Sequence, residues 1–559
     1  MTAIESAKQT ILILMPELLI LLSAMAMMTA GAFVKLPRRA WSITSAATLV
    51  VALLVLILLR NQVTDPYGSV ALNDAMSGYG RMFFLLTGLI VLAMAHDQVD
   101  DARAPEFFGS LLFINAGAML VVAANELIFL FVGLELVSIP TYLLLYLSRR
   151  NVSTQEAATK YFFLSIFSSG LLLFGLAYLY GMIGISNLKA LSYLAQVPAT
   201  LPNMPHPVLG LIALVFVMAG LGFRVAAVPF HFYAPDVYEG SPTILAALLA
   251  WVPKGIGFVA ILRTLTAVIP TDMVGPANTL TNQAVVLAWI IAVVTMTLGN
   301  TVALAQTNLK RLFAYSSIAH AGYLMIGVTV AFRNGPSVDG ITLGSESVLF
   351  YLVTYALMTL GAFAVIIALG TPERPVETVD DLAGLAKTHP VLALALAICL
   401  FSLAGIPPLA GFIGKFNLFV AAFSASTDTD ATMFQSLAVI GVINSAIGAY
   451  YYLKIIVAMY YRDPVGAPLR PNLTWPTATA IGACTSLTVL FGFWAQPIYV
   501  ATRESAVALV AHSEPVALLA SSDGREAAEF ELRKADAAAR SADVLRGMQF
   551  NPKNSPTRP

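Results

Sequence analysis

The sequence predicts an all-α integral membrane protein of about 14 transmembrane helices. Of its 559 residues, 58% are hydrophobic and only 11% are charged, and the mean hydropathy is +0.80. This balance is far too apolar for a soluble domain, whose surface has to be solvated by water. Apolar runs of about 20 residues, the length that crosses a hydrocarbon core, recur along the chain, and no strand pattern is evident. Lipid is therefore the expected solvent for most of the chain.

The apolar runs divide into 14 predicted spans. The first lacks a basic start and an A-x-A cleavage site, so we expect it to be retained. The spans lie near residues 10–33, 41–60, 77–96, 105–124, 126–147, 160–184, 207–233, 241–264, 283–304, 311–332, 346–369, 389–423, 435–460 and 476–500. We group them as helices 1–3 in 1–104, a first five-helix unit in 105–264, a second in 283–460, and helix 14 in 476–500. Residues 501–559 form a polar tail whose composition favours partial disorder.

The positive charges beside the spans predict an orientation. Thirteen lie on one face, namely Lys35, Arg38, Arg39, Arg103, Arg149, Arg150, Lys160, Lys310, Arg311, Arg374, Lys387, Arg462 and Arg470. Six lie on the other, namely Lys8, Arg60, Arg81, Lys189, Arg263 and Arg333. The positive-inside rule assigns the first face to the cytoplasm. In the inner membrane of a bacterium, both termini would then be periplasmic.

Composition also excludes several classes of ligand. Lys+Arg and Asp+Glu both number 31, so no basic field is present to hold nucleic acid. Cys399 and Cys484 lie in apolar runs without a C-x-x-C or a His-rich neighbourhood that could bind zinc, haem or an iron–sulfur cluster. No G-x-G-x-x-G follows a strand. We expect no cofactor and no metal in this chain.

Four spans carry an ionisable residue near their midpoint: Glu135 in FVGLELVSIPTYL, Arg224 in GLGFRVAAVPFHFYAPD, Lys254 in LLAWVPKGIGF and Lys415 in AGIPPLAGFIGKFNLF. Each central charge costs about 2.5–3.5 kcal/mol in lipid, so the four should face the bundle interior and be paired. Desolvation lets a buried lysine release its proton, and a carboxylate can stabilise charge when it approaches a cation. We interpret the set as a proton or ion path. The alternative is a set of snorkelling side chains or internal ion pairs.

Two histidines are weaker candidates. His320, in AYSSIAHAGYLMIG, lies well inside the tenth span beside a tyrosine and two serines that can hold relay waters. A satisfied core histidine is an equally good interpretation. His231 follows Pro229 by two residues and is a candidate to line a helix break.

Four other charged residues are weaker candidates, because they lie near span ends or in a turn. Glu17 and Lys454 lie close enough to the ends of their predicted spans to reach the interface or a neighbouring backbone carbonyl. Asp236 and Glu239 fall in the turn APDVYEGSPT, where capping is the default role and a contribution to proton uptake is the alternative.

Proline residues predict that two spans are discontinuous. Pro229 follows Arg224 by five residues, and Pro407 and Pro408 precede Lys415. An interruption frees backbone groups that only protein or water can satisfy, which indicates a hydrated cavity at that depth. These are spans 7 and 12. A unit of five helices crosses the membrane an odd number of times, so two successive five-helix units would be inverted relative to each other.

Four strings, GLELVSIPTYLL, AAVPFHFYAPDVYEGSPT, NLKRLFAYSSIAHAGYLMIG and GIPPLAGFIGKF, resemble the antiporter-like subunits of respiratory complex I, most closely its N subunit. The resemblance runs from about residue 80 to 460. It implies a proton-translocating subunit of NADH:quinone oxidoreductase with two inverted five-helix repeats and discontinuous helices 7 and 12. Position by position, Glu135 corresponds to the family's helix-5 glutamate, Lys254 and Lys415 to its lysines of helices 8 and 12, and His320 to a central histidine.

The resemblance also implies partners. We expect K-type and M-type membrane neighbours, while NADH, FMN, iron–sulfur clusters and quinone belong to partner subunits. The sister subunits M and L are alternatives, but the lysine in span 12 and the lack of a long helical extension favour N. A subunit of a Na⁺/H⁺ antiporter complex is another alternative, and a non-conducting membrane scaffold is an alternative of a different class.

One residue departs from the family pattern. The family usually has lysine where this chain has Arg224 in FRVAAVPFH. Arginine stays protonated at any accessible pH, so it cannot load and release a proton. We expect Arg224 to be a fixed charge that tunes Glu135 and Lys254.

Overall fold

The structure is a computed structural model that describes residues 3–148, 152–196, 207–268, 279–334, 343–371, 375–425, 431–464, 469 and 471–510. These residues form helices and no extended strand. The tail after residue 510, with its predicted helical pattern near 526–546, lies outside the described residues, as do Arg149, Arg150, Arg374 and Arg470. The α-helices are α1 (Ala3–Ile13), α2 (Met15–Phe33), α3 (Arg38–Leu58), α4 (Ala75–Ala95), α5 (Ala104–Ala123), α6 (Leu127–Ser148), α7 (Val152–Ile183), α8 (Leu188–Gln196), α9 (Pro207–Val225), α10 (Tyr233–Gly240), α11 (Thr243–Val268), α12 (Thr279–Leu304), α13 (Leu309–Asn334), α14 (Leu343–Leu369), α15 (Leu385–Thr388), α16 (Pro390–Ala404), α17 (Ala410–Ser424), α18 (Ala431–Tyr461), α19 (Trp475–Phe493) and α20 (Gln496–Val510).

The predicted fold class is confirmed. Within the described residues, 13 helical segments are long and apolar enough to cross a membrane. The apolar helices α16 and α17 have 15 residues each, which is too short for either of them to cross alone. The chain is a multi-pass membrane protein.

Both predicted interruptions are present. After α9 the chain is non-helical until α10, and Ala226 has a positive φ of 57°. α16 ends in a left-handed cap at Gly405, with φ 87°, and Pro407 and Pro408 lack the amide that would extend a helix. The inverted relation of the two five-helix units stays a prediction.

Helices α11, α13 and α14 form the centre of the bundle, where the apolar spans of α11 and α14 are entirely buried. Glycine lets α12 approach α13 closely. A Cβ at Gly299 would lie 2.5 Å from the amide nitrogen of Ala319. Small residues of this kind let helix backbones pack tightly in membranes.

The helix ends define two faces of the bundle. The α10 face contains α10, the start of α13 and the end of α18, and the α20 face contains α20, α8 and the start of α4. The predicted span 476–500 differs from the structure, because α19 ends at Phe493 and α20 begins at Gln496. Pro497 has no amide hydrogen, so it cannot continue the preceding helix.

Candidate functional site

The first site residue, Arg224, is the next-to-last residue of α9 and lies just before the helix break. Its Nη2 is 2.7 Å from Oε1 of Glu135 on α6 and 3.2 Å from Oγ of Ser169 on α7. Its Nη1 donates to Oγ of Ser138 and, at 3.2 Å, to the carbonyl of Leu134. The guanidinium is therefore fixed by acceptors from two helices, α6 and α7.

The two members of this ion pair have different surroundings. The side chain of Arg224 is 3% exposed, whereas that of Glu135 is 23% exposed. Ser169 donates to the same Oε1 of Glu135 at 2.5 Å. The carboxylate thus lies at the lateral surface of the bundle and can meet a neighbouring group, while the arginine cannot.

Lys254 lies inside the bundle on α11, next to Pro253, and is 1% exposed. Its Nζ donates to Oγ of Ser317 on α13. Ser317 is also hydrogen-bonded to the hydroxyl of Tyr355 at 2.8 Å and lies 3.4 Å from that of Tyr238 on α10. Among the described residues, no carboxylate lies within ion-pair distance of Lys254.

His320 lies about one helical turn after Ser317 on α13. Its Nδ1 lies 2.5 Å from the hydroxyl of Tyr351, and its Nε2 lies 3.0 Å from that of Tyr452. Tyr452 is hydrogen-bonded in turn to Ser316, the neighbour of Ser317. The ring of Tyr355 is 5.1 Å from that of His320, centroid to centroid. The histidine on α13 therefore joins hydroxyl groups of two other helices, α14 and α18.

Lys415 lies on α17, directly after the second break. Its Nζ donates to the carbonyls of Leu403 and Ala404 at 2.9 and 3.0 Å, and to Oγ of Ser445 at 3.1 Å. These carbonyls are free because α16 ends there. The ammonium also lies 4.9 Å from the ring centroid of Tyr323, a cation–π contact. The helix break thus supplies the ligands that hold the second buried lysine.

We call the groups between Lys254 and Lys415 the polar run. Its members are Lys254, Ser316, Ser317, His320, Tyr323, Tyr351, Tyr355, Tyr452 and Lys415. Hydroxyls and a neutral imidazole both donate and accept hydrogen bonds, so they can pass protons if the donor and acceptor roles reverse.

Gly257, which is on α11 like Lys254, packs against the side chain of Arg224. A Cβ at Gly257 would lie 3.3 Å from Cβ of Arg224. This places the Glu135–Arg224 pair beside the helix that carries Lys254.

The structure does not join His231 to the polar run. This residue lies in the connection between α9 and α10, and its Nδ1 has no hydrogen-bond partner among the described residues.

Asp236 and Glu239 lie on α10 rather than in a turn. Asp236 binds Nζ of Lys160 at 2.7 Å and Nη1 of Arg311 at 2.9 Å, and Glu239 lies 2.8 Å from the same Nη1. Burial acts to raise the pKa of Asp236, but the hydrogen bonds from Lys160 and Arg311 outweigh it, and the pKa lies below its ordinary value. Asp236 therefore remains ionised at neutral pH.

One expectation about the first helices is wrong. Glu17 does not reach the interface, because α1 continues the helical segment upstream and places it deep in the bundle at 1% exposure. Its partner is Arg81 on α4, one of the six positive charges predicted to lie opposite the cytoplasmic face. The distance from Nε of Arg81 to Oε1 of Glu17 is 2.9 Å, and Arg81 is 0% exposed.

The tyrosines of the polar run were also missed. Tyr351, Tyr355 and Tyr452 are each close to 1% exposed or less. The only sequence signal for them is a polar hydroxyl at the centre of an otherwise apolar span.

The interrupted helices and the buried lysines, with hydroxyl groups between them, together define an ion-translocating, multi-pass membrane protein. Comparison with known families agrees, since the transmembrane family of NADH:quinone oxidoreductase and Mrp antiporters matches residues 124–441. NADH-quinone oxidoreductase subunit N of Paramagnetospirillum magneticum is 36% identical over 504 residues, which cover 89% of this chain and 97% of the relative. The corresponding subunit of Trichlorobacter lovleyi is 41% identical over 417 residues, or 74% of this chain and 79% of the relative. The chain belongs to the NADH-quinone oxidoreductase subunit N family of proton-translocating, antiporter-like subunits.

Solved structures agree with this assignment. A chain of respiratory complex I from Thermus thermophilus is 30% identical with a TM-score of 0.70, and the match covers 88% of this chain and 99% of that one. A chain of the Mrp complex from a Dietzia species has a TM-score of 0.75 at 20% identity, with 90% of this chain and 97% of that one covered. The second likeness is one of fold alone.

Proposed function

We propose that protons move through this chain along the polar run between Lys254 and Lys415. The observation that supports this most is that buried hydroxyls and one imidazole lie between two buried lysines that have no carboxylate partner among the described residues. A buried ammonium without a counter-charge is costly, so each lysine readily gives up its proton when a second positive charge approaches. The run offers that proton a set of acceptors.

Glu135 and Arg224 control the first lysine in this proposal. Arg224 remains positive at all times, so it disfavours a second positive charge on nearby Lys254 unless Glu135 balances it. Because Glu135 lies at the lateral surface, a neighbouring subunit can draw its charge away. Lys254 would then release its proton toward His320 and Lys415.

Proton uptake takes place at the α10 face in this proposal. Asp236 and Glu239 form a charged cluster there with Lys160 and Arg311. Tyr238 lies on the same short helix and its hydroxyl is 3.4 Å from Ser317. His231, at the preceding helix break, is a second candidate on this route.

The chain itself performs no redox chemistry in this proposal. NADH, FMN, iron–sulfur clusters and quinone are held by partner subunits, and K-type and M-type membrane subunits are the neighbours. The names of the relatives support membership in such a complex. The positive charges Arg38, Arg103 and Arg311 at the α10 face support a cytoplasmic location of that face. The protein would then reside in a bacterial inner membrane with both termini in the periplasm.

The test uses membranes that contain the whole complex with Lys254→Met or Lys415→Met in this chain. We expect normal assembly and a severalfold lower ratio of protons pumped to quinone reduced. Lys454→Met is the matched control, because Lys454 is a half-buried lysine on α18 outside the polar run. Normal pumping in both variants would contradict the proposal, and a loss of assembly without a loss of coupling would favour a scaffold.

A further inference from the structure

A second group of buried charges lies outside the polar run, on α4. Asp74 caps this helix, and its Oδ1 accepts from the amide of Ser77 at 2.7 Å. Asp74, Ser77 and Arg81 are spaced by three and four residues, so they share one face of the helix. The stripe begins at the α20 face and ends at the buried ion pair of Arg81 with Glu17.

Exposure decreases along this stripe. The side chain of Asp74 is 19% exposed, whereas Ser77 and Arg81 are both 0% exposed and Glu17 is 1% exposed. Nη2 of Arg263, at the end of α11, lies 3.2 Å from Oδ1 of Asp74. The stripe therefore has an outer end near solvent, bordered by a cation, and an inner end within the bundle.

Several polar atoms along the stripe have no hydrogen-bond partner among the described residues. They are Oδ2 of Asp74, Oγ of Ser77, Nη2 of Arg81 and both carboxylate oxygens of Glu17. The 2.9 Å contact of Arg81 with Glu17 is not aligned as a hydrogen bond, and the one bond from Arg81 goes to the carbonyl of Ile13 at 3.4 Å. Buried polar groups are rarely left unpaired, and at membrane depth only protein or water can satisfy them. Since no group in the described part of the chain does so, water is the partner that remains.

We propose that Asp74, Ser77 and Arg81 line a narrow water-filled path from the α20 face to Glu17. Water is the ligand, and Glu17 is a site where a proton exchanges with water on that side of the membrane. Ser77 supplies a hydroxyl about one helical turn from the guanidinium of Arg81, a separation that one water molecule can bridge. This path is separate from the polar run and does not depend on its role.

The test measures hydration at Ser77 in membranes that contain the whole complex. Ser77→Cys is treated with N-ethylmaleimide, which reacts with the thiolate and therefore reports on water around the thiol. Ser45→Cys on α3 is the control, because Ser45 is also buried but its hydroxyl donates to the carbonyl of Trp41 at 2.9 Å. We expect the thiol of Ser77→Cys to be labelled at least about tenfold faster than that of Ser45→Cys. This ratio corresponds to a thiol pKa about one unit lower. Equal labelling rates would overturn the proposal.

A second variant tests the connection to Glu17. In the Ser77→Cys background, Glu17→Gln leaves Arg81 uncompensated and should speed labelling by about three- to tenfold, because the free guanidinium favours the thiolate. An unchanged rate would show that the two positions are not connected by a polar path. If either variant does not assemble, an experimental structure of the unmodified complex decides. Water density at Oγ of Ser77 supports the path, and its absence at a resolution that shows other buried waters overturns it.

Discussion

Lys254 and Lys415 contact the same helix, α13, at positions six residues apart. Lys254 donates to Ser317, and the ammonium of Lys415 lies over the ring of Tyr323. Six residues correspond to about 9 Å along a helix, and His320 lies midway between them. One helix thus provides a contact for both buried lysines.

Replacing Ser317 with alanine should uncouple Lys254 from the polar run. The substitution leaves the ammonium without its hydrogen-bond partner and breaks the link to Tyr355. An unsatisfied buried group costs about 1–3 kcal/mol, so we expect at least about a fivefold lower pumping rate at normal assembly. Thr329→Val removes another buried hydroxyl of α13, which donates to the carbonyl of Met325 on the same helix, and it should leave pumping near normal. Equal losses in both variants would mean that the effect of Ser317 is one of packing.

Arg224 should tolerate lysine but not a neutral residue. If its role is that of a fixed charge, Arg224→Lys keeps the charge beside Glu135 and should retain pumping within about threefold. Arg224→Met leaves Glu135 without its cation. Removing one partner of a buried pair costs about 3–5 kcal/mol, and a pumping rate below about one tenth is expected. Comparable pumping by the Met and Lys variants, measured at equal assembly, would rule out the electrostatic role.

Gly405 should be required for the site of Lys415. Its φ of 87° is strained for any residue with a side chain, and a Cβ there would lie 3.0 Å from Cδ of Lys415. Gly405→Ala should destabilise the subunit by about 1–2 kcal/mol and shift Lys415 away from the carbonyls that hold it. Thermal unfolding of the complex and proton pumping both report this. The control is Gly482→Ala on α19, where a Cβ meets open space, and no loss is expected there.

The effect of Asp236→Asn should depend on pH only in strong acid. The pKa of Asp236 lies below its ordinary value, so the carboxylate contributes stability that is fully present above the ordinary value of about 4 and is lost as the pH falls through the lowered pKa. The difference in melting temperature between the unmodified complex and Asp236→Asn should therefore be constant from pH 8 to about pH 5. A difference that changes near neutral pH would mean that another group titrates at this cluster.

Much of the fold was predictable from the sequence. Lipid demands long apolar runs, so span positions are strong signals, and proline marks the two interruptions. Glu135, Arg224, Lys254 and Lys415 were recognisable because a charge in such a run is costly. The structure places Arg224 and Lys415 beside a helix break and Lys254 in the bundle interior, whereas Glu135 lies at the lateral surface and is paired with Arg224.

The partners of these charges were not predictable. Tyr351 and Tyr452 lie in apolar spans where aromatic residues are common, and only packing between distant helices brings their hydroxyls to His320. Glu17 was misplaced because its depth depends on where the first helix begins. The acidic residue and Arg81 are 64 positions apart, a pairing that neither periodicity nor composition indicates.

The central claim is that Lys254 loads and releases a proton, and Lys254→Arg tests it most directly. Arginine keeps the positive charge and a donor toward Ser317 but does not release a proton at accessible pH. Proton pumping per quinone reduced should be measured in membranes with the fully assembled complex. The account predicts that Lys254→Arg pumps as poorly as Lys254→Met. Pumping close to that of the unmodified complex would contradict it, because a fixed charge at this position would then be enough.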